Sequence, residues 1–452
     1  MHTPAHPSKV TTAQVFAIAG PAMVANLTTP LIGIVSTTAI GRLGDATLLG
    51  GVAMASVLFD CIFWLFAFLR MSTVAFTAQS LGAGETSELR AILVRGFIVA
   101  AVIGTTLILL QVPLAGILLG AMGGSEGVTR AAKTYFTIRI WSSPLVFGNF
   151  VILGWLIGQA RARLALGTQI AINLINVAAT VLLVLVLDYG IAGAAIAAVI
   201  AEAAGLLLGI LIAGRLTHWK LAIEVATLFD RTKLMRMLSV NRDIMIRTGS
   251  LILVWLFFAA QGARAGDVAL AANSVLNNFL LISAFFLDGF ANAAQQLCGH
   301  AYGARDRDGF AGAVKLVLIW GLGFAIPVVV LFALLGTSLI DIMTASVDVR
   351  RLAREFLPFV VFAPLLGVFA FSYDGIYIGA TWARDMRNLM VLSLAIFLAA
   401  WLLLRSFGNA GLWGALLVNY AARGGLQALR YPALFRASLA TTSATSPASP
   451  RP

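Results

Sequence analysis

The sequence predicts an all-α integral membrane protein, with twelve transmembrane helices in two parallel six-helix bundles related by a pseudo-two-fold axis along the membrane normal and parted by a central cleft. Three observations lead there. Of the 452 residues, 60% are hydrophobic and only 11% charged, a balance that a water-soluble chain of this length could not cover. Apolar stretches of bilayer length, about twenty residues, recur from end to end. The segment that opens at Gly44-Asp45 and ends in Leu81-Gly82-Ala83-Gly84-Glu85 returns half a chain later, opening at Gly266-Asp267 and ending in Tyr302-Gly303-Ala304-Arg305-Asp306. Repeated blocks of membrane helices are how secondary transporters are built, with the substrate path between the repeats.

The spans fall near 13–40, 48–80, 88–112, 130–158, 165–187, 190–213, 237–261, 268–301, 311–336, 352–380, 386–405 and 410–432. A short tail with His2, Pro4, His6 and Pro7 leads straight into the first, which is too long for a signal-peptide core and reads as a retained span. Pro21, Pro30, Pro144, Pro327, Pro358 and Pro364 imply kinks. Six spans per half set both halves across the membrane in the same sense. The organisation is therefore an N-terminal six-helix bundle over 1–215, a linker over 216–236 containing His218-Trp219-Lys220, a C-terminal bundle over 237–434 and a Ser/Thr/Pro-rich, disordered cytoplasmic tail over 435–452. Gly154/Gly158 and Gly205/Gly209 have the spacing of close helix packing.

The net charge of +12 would suggest nucleic acid in a soluble protein. Here the basic residues gather in alternate loops, around Arg161, Arg163, Arg215, Lys233, Arg305, Arg384 and Arg430. By the positive-inside rule that side is cytoplasmic, as are both termini. Cys61 and Cys298 lie in apolar runs and give no disulfide framework. The chain has no G-x-x-x-x-G-K-[ST] loop, no H-E-x-x-H and no Cys/His cluster, so no enzyme reading has a motif behind it and no cofactor is expected. Asp306-Arg307-Asp308-Gly309 resembles the start of a calcium loop without its later ligands and reads as a solvated turn.

A carboxylate inside a span costs several kcal/mol unless paired or hydrated, so each is a functional candidate by default. The candidates are Asp60, Glu202, Asp288 and Asp374. Around Glu202, the small residues Ala194, Ala198 and Gly205 share its helix face, which turns it toward other helices. Asp243 and Arg247 stand four apart and can pair along one helix, near a membrane boundary, in a structural or gating role. Arg70 has the same bland reading. Asn26, Ser36, Gln79, Asn173, Asn176 and Thr180 can line an N-terminal cavity, and Trp64, Trp155, Phe285, Phe286, Tyr373 and Tyr377 can offer aromatic faces to an organic cation.

Several of these residues sit in stretches that resemble the multidrug and toxic compound extrusion (MATE) transporters, most closely the bacterial DNA-damage-inducible (DinF-like) branch. They include Pro21 to Asn26, Ile40-Gly41-Arg42-Leu43-Gly44, Phe68-Leu69-Arg70 with Thr77-Ala78-Gln79, Asn241-Arg242-Asp243-Ile244, Leu287-Asp288-Gly289-Phe290-Ala291 and Asp374-Gly375 with Ile378-Gly379-Ala380. The resemblance covers nearly the whole chain. It implies efflux of bulky, cationic or amphipathic compounds driven by inward movement of protons or sodium ions, with Asp374 and Asp288 in acidic positions of the branch. Three positions depart from the family pattern. Ser36, Thr180 and Gln295 stand where carboxylates are common, which shifts the expected coupling to Asp374 and Asp288 with help from Glu202 and leaves Gln295 as a substrate-cavity candidate.

The function expected is secondary active efflux by a bacterial inner-membrane protein, a monomer that binds a small organic substrate and no nucleic acid. A lipid-linked or amphiphile flippase or facilitator of the same fold, and a non-transporting scaffold, remain as alternatives.

Overall fold

The computed structural model describes residues 10–42, 44–218 and 225–439. Residues 219–224 of the expected linker and the expected tail beyond 439 lie outside them. The described chain is all helix. The N-terminal half comprises α1 (Thr12–Gly41), α2 (Ala46–Leu65), α3 (Phe68–Gly82), α4 (Thr86–Leu109), α5 (Gln111–Met122), α6 (Glu126–Arg139), α7 (Ser143–Gly158), α8 (Ala162–Thr180) and α9 (Gly190–Leu216). After the short α10 (Val225–Leu228), the C-terminal half comprises α11 (Arg231–Arg264), α12 (Asp267–Gly303), α13 (Arg307–Met343), α14 (Val347–Gly379), α15 (Ala383–Leu404) and α16 (Gly408–Ser438).

Ten described stretches are long and apolar enough to cross a bilayer, and the last, Ala383–Ser438, holds the two helices α15 and α16. The 30-residue, charge-free α1 is another, long enough at about 1.5 Å per residue to cross. Twelve crossings result among the described residues, six in each half, because three spans are each built from two pieces. The α2–α3 span breaks at Phe66–Ala67, the α6–α7 span bends through a 3-10 turn at Ile140–Ser142 just before Pro144, and α8 loosens into a π-helix over Val181–Val186. The matching span of the other half, α12, runs 37 residues without a break.

Polar caps mark where the chain re-enters water. Thr11 and Gln14 form a reciprocal capping box on α1, and Asp45 caps α2 through the Thr47 amide at 2.8 Å. Asp306 caps α13 through the Gly309 amide at 2.8 Å, so the calcium-like loop is a helix start. Asp230 caps α11 through the amides of Thr232 and Lys233. The linker is therefore shorter than the 216–236 read from the sequence, since an N-cap starts helix at Arg231. The last helix likewise runs to Ser438, past the expected limit at 434. Large apolar side chains face outward where lipid would lie, Leu109 at 76%, Leu334 at 72% and Leu403 at 80% exposure.

Both glycine pairs pack helices. A Cβ at Gly154 would meet the Arg70 carbonyl at 2.6 Å, one at Gly158 would meet Thr77 at 2.6 Å, and one at Gly205 would meet Ile172 at 2.3 Å. The two halves close on each other at the arginine-rich end. A Cβ on Gly82 would fall 2.0 Å from the His300 carbonyl oxygen, and one on Gly303 would fall 1.9 Å from that of Gln79. Cross-bundle bonds gather there. Gln79 Nε2 donates to the Gly379 carbonyl at 2.7 Å, Arg236 Nη2 donates to Gln79 Oε1 at 2.9 Å, and Lys233 Nζ donates to Glu88 Oε2 at 2.9 Å. Trp320 Nε1 reaches Thr12 Oγ1 at 3.2 Å. Further along, Asn26 Nδ2 reaches the Phe285 carbonyl at 3.3 Å, and past Pro30 the α1 residues Thr37 and Thr38 are exposed.

Candidate functional site: a charged cavity in the N-terminal bundle

A cavity of about 610 Å3 lies inside the N-terminal bundle, walled by α1, α2, α7, α8 and α9 and touched from the other half by Phe285 and Asn292 of α12. Its position follows from local sequence. Pro21 and Pro30 remove backbone donors from the stretch of α1 that lines it, the α2–α3 break at Phe66–Ala67 lies at its wall, and the small residues Ala194 and Ala198 leave room along α9.

Two carboxylates line it. Glu202 is half-buried, and Asn149 Nδ2 donates both to its Oε2 at 2.7 Å and to its backbone carbonyl at 2.9 Å. Asp60 is exposed to the cavity from α2. Arg139 acts on both acids electrostatically, while its guanidinium lies over the rings of Phe59, Phe63 and Tyr135 at 5.5, 6.0 and 5.9 Å. Arg70 lines the wall nearer the closed end. Asn26, Ser36, Asn173 and Asn176 also line the cavity as read from the sequence, and Asn173 Nδ2 donates to Thr28 Oγ1 at 2.8 Å. The aromatic lining includes Phe59, Trp64, Phe150 and Phe285.

Other candidates lie elsewhere. Thr180 is fully buried behind the wall, its hydroxyl 3.5 Å from Asn176 Oδ1. Gln79 belongs to the closed end, because α3 ends against α12 and α14. Gln295 is buried in α12, its carbonyl facing Gly379. Tyr373 and Tyr377 are core residues of the C-terminal bundle, and Tyr377 Oη donates to the Gln427 carbonyl at 2.8 Å. Trp155 is wholly buried with its indole N–H on the Leu89 carbonyl at 2.8 Å, and Phe286 packs toward Phe324.

Asp374 does not reach the cavity. Arg247 and Arg423 both donate to its Oδ2 and Gln427 Nε2 donates to Oδ1 at 2.7 Å, all four side chains buried. The expected Asp243–Arg247 pair is absent, since each residue has a different partner. Asp243 Oδ1 takes Arg242 at 2.9 Å and Arg387 at 2.8 Å, while Arg247 turns to Asp374. Asp288 is half-buried between the two regions, in the field of Arg70, Arg247, Arg423 and Asp374. The residues not singled out from the sequence, Arg139, Asn149 and Arg423, carried a readable signal in two of the three cases, namely an arginine inside an apolar span.

Two six-span bundles closed at one end, with a polar cavity opening between spans of one bundle, define a secondary transporter architecture. The MatE family model matches residues 21–182 and 244–402, and the chain belongs to that family. It is 37% identical to the DNA damage-inducible protein F of Escherichia coli K12 over 90% of this chain and 89% of that one. It is 27% identical to the "Probable multidrug resistance protein NorM" of Caulobacter vibrioides over 92% of this chain and 90% of that one. A solved structure titled as the outward-facing conformation of a multidrug resistance MATE family transporter superposes with a TM-score of 0.85 over 94% of this chain and 96% of that one, at 17% identity. The protein is thus a multi-pass membrane transporter and not an enzyme.

Proposed function

We propose that the protein exports amphipathic organic compounds across the bacterial inner membrane by alternating access, driven by inward movement of a cation, proton or sodium. The observation that carries this reading is Glu202. It is an ionisable group at membrane depth, held by Asn149 and open to a cavity large enough for a drug-sized molecule. With the arginine-rich end cytoplasmic, the bundles are shut on the inside and the cavity faces outward. A proton arriving from outside neutralises Glu202 or Asp60, weakens the hold on a cationic group and releases it outward. Coupling then rests on these two acids, and Asp374, engaged by two arginines, holds its bundle together. Both termini sit on the cytoplasmic side, and a single chain holds the whole cavity, as a monomer requires.

The test is efflux from right-side-out vesicles or uptake into inverted ones, under an imposed pH or sodium gradient. Glu202→Gln should abolish acceleration by the gradient. Gradient-driven accumulation unchanged in both Glu202→Gln and Asp60→Asn would overturn the assignment. The neutral Ser36 and Thr180 favour a second reading, a facilitator that only equilibrates its substrate. Such a facilitator accumulates nothing against a gradient.

A further inference from the structure

The charges around the cavity are divided between its two levels. At one level stand Asp60, Glu202 and Arg139, two acids against one base. Beyond the other level, at the junction with the C-terminal bundle, Arg70, Arg247 and Arg423 act on Asp288 and Asp374, three bases against two acids. In that second group only Arg70 faces the cavity. Among the described residues its guanidinium has no hydrogen bond or ion pair. Asp288 is its electrostatic counter-charge without meeting its donors, and an anionic group on a ligand would satisfy that fork of donors, which is costly to leave unmet at membrane depth. The levels are a small molecule's length apart. Gly154 packs on the Arg70 carbonyl, and Asn149, which holds Glu202, lies five residues earlier on the same helix, or about 7–8 Å along its axis. Rings of Phe59, Trp64 and Phe150 line the space with them.

We propose, building on the export reading above, that the cavity selects zwitterionic amphiphiles, taking the cationic group at Asp60 and Glu202, the anionic group at Arg70 and the aromatic or apolar body between the rings. A purely cationic compound satisfies one level and leaves the donors of Arg70 unmet. Release of a zwitterion by protonation of Glu202 remains compatible with exchange, since only the cationic end loses its partner.

The probes are rhodamine B, whose free carboxylate makes it a zwitterion, and its ethyl ester, the same xanthylium cation with that carboxylate masked. Fluorescence polarisation with the purified full-length protein at neutral pH should show rhodamine B bound about tenfold more tightly, the scale of one charge-assisted hydrogen-bonded contact. Arg70→Gln should bring the two affinities together, and Arg70→Lys, which keeps the charge, should retain most of the preference. Equal binding by the wild-type protein, or preference for the ester, overturns the proposal without any variant having to fold. A preference that survives Arg70→Gln overturns it as well. The transport reading fails separately. Gradient-driven movement of the ester with no preference for rhodamine B leaves export standing and removes zwitterion selection, whereas preferential rhodamine B binding with neither dye transported does the reverse.

Discussion

The two bundles repeat one pattern of spans and spend their buried charges in opposite ways. In the N-terminal bundle Glu202 has one neutral partner, Asn149, and faces an open cavity. In the C-terminal bundle Asp374 receives Arg247, Arg423 and Gln427 and faces none. The backbone differs in the same direction. The α2–α3 span is broken at Phe66–Ala67 beside the cavity, and its counterpart α12 is one uninterrupted helix. A carboxylate that must gain and lose a proton needs water and weak partners, while one that pins three helices together needs strong partners and no water. On the proposed export reading, the asymmetry gives the changeable chemistry to one half and rigidity to the other.

The largest effect expected is on the C-terminal side. Asp374→Asn removes the counter-charge from two buried arginines, and breaking such a group costs about 3–5 kcal/mol. Thermal unfolding in detergent should show a large loss of stability, well beyond that of any change in the cavity. An Asp374→Asn protein as stable as wild type that has lost only its pH-dependent transport would reverse the comparison and return coupling to the C-terminal bundle.

Glu202→Gln is the matched experiment. The amide can still meet Asn149, so stability should change by less than about 1.5 kcal/mol, while the dependence of efflux on the pH gradient disappears. The comparison rests on that dissociation of stability from transport, measured on the same preparations. Equal destabilisation by the two substitutions would remove the distinction between the bundles.

This division was only half legible in the sequence. The number of spans, their repeat and the membrane class could be read because lipid admits so few alternatives. Every crossing needs a long apolar run, and some helix starts are marked by a cap such as Thr11, Asp45, Asp230 or Asp306. The intramembrane acids were also visible, as exceptions in apolar text. Their partners were not. Asp243 and Arg247 have the spacing of a helical pair, yet each prefers a residue from a distant helix, Arg387 and Asp374. Local spacing shows what can meet, and tertiary packing decides what does. Gln79 and Tyr377 failed as cavity residues for a related reason. Polarity within a span does not reveal which neighbour its face meets, and these two face the seam between the bundles and the C-terminal core. Arg139 and Arg423 could have been found by treating intramembrane arginines as strictly as carboxylates.

The seam offers an intermediate effect. Gly303→Ala would place a methyl 1.9 Å from the Gln79 carbonyl oxygen, against backbone that cannot step aside. The arrangement shut at the arginine-rich end should lose about 1–3 kcal/mol, tilting the population toward separation of the bundles there by about fivefold or more. Spin labels at Ser87 and Asp308, both exposed, would read the change after Cys61 and Cys298 are replaced. An unchanged distance distribution would mean that the seam is not part of the moving contact.

The smallest effect belongs to the bond that looks most like a latch. Lys233 joins α11 to Glu88 of α4 at 2.9 Å, but its side chain is 43% exposed. Glu88 keeps a stronger companion in Arg95 at 2.5 Å, which is itself anchored on the Leu228 carbonyl at 2.8 Å. Lys233→Ala therefore leaves no buried charge unpaired, and a pair whose lysine stands half in solvent while its acid keeps another partner is worth about 0–1 kcal/mol and weakens with salt. Efflux should change by less than about fivefold, with the difference fading as salt is raised. Arg95→Ala should do more, since it strips a buried acid of its main partner and frees the linker carbonyls. If Lys233→Ala instead matched Arg95→Ala and resisted salt, the exposed tie would be governing the closed end, and the ranking of buried over exposed contacts used throughout would fail at this seam.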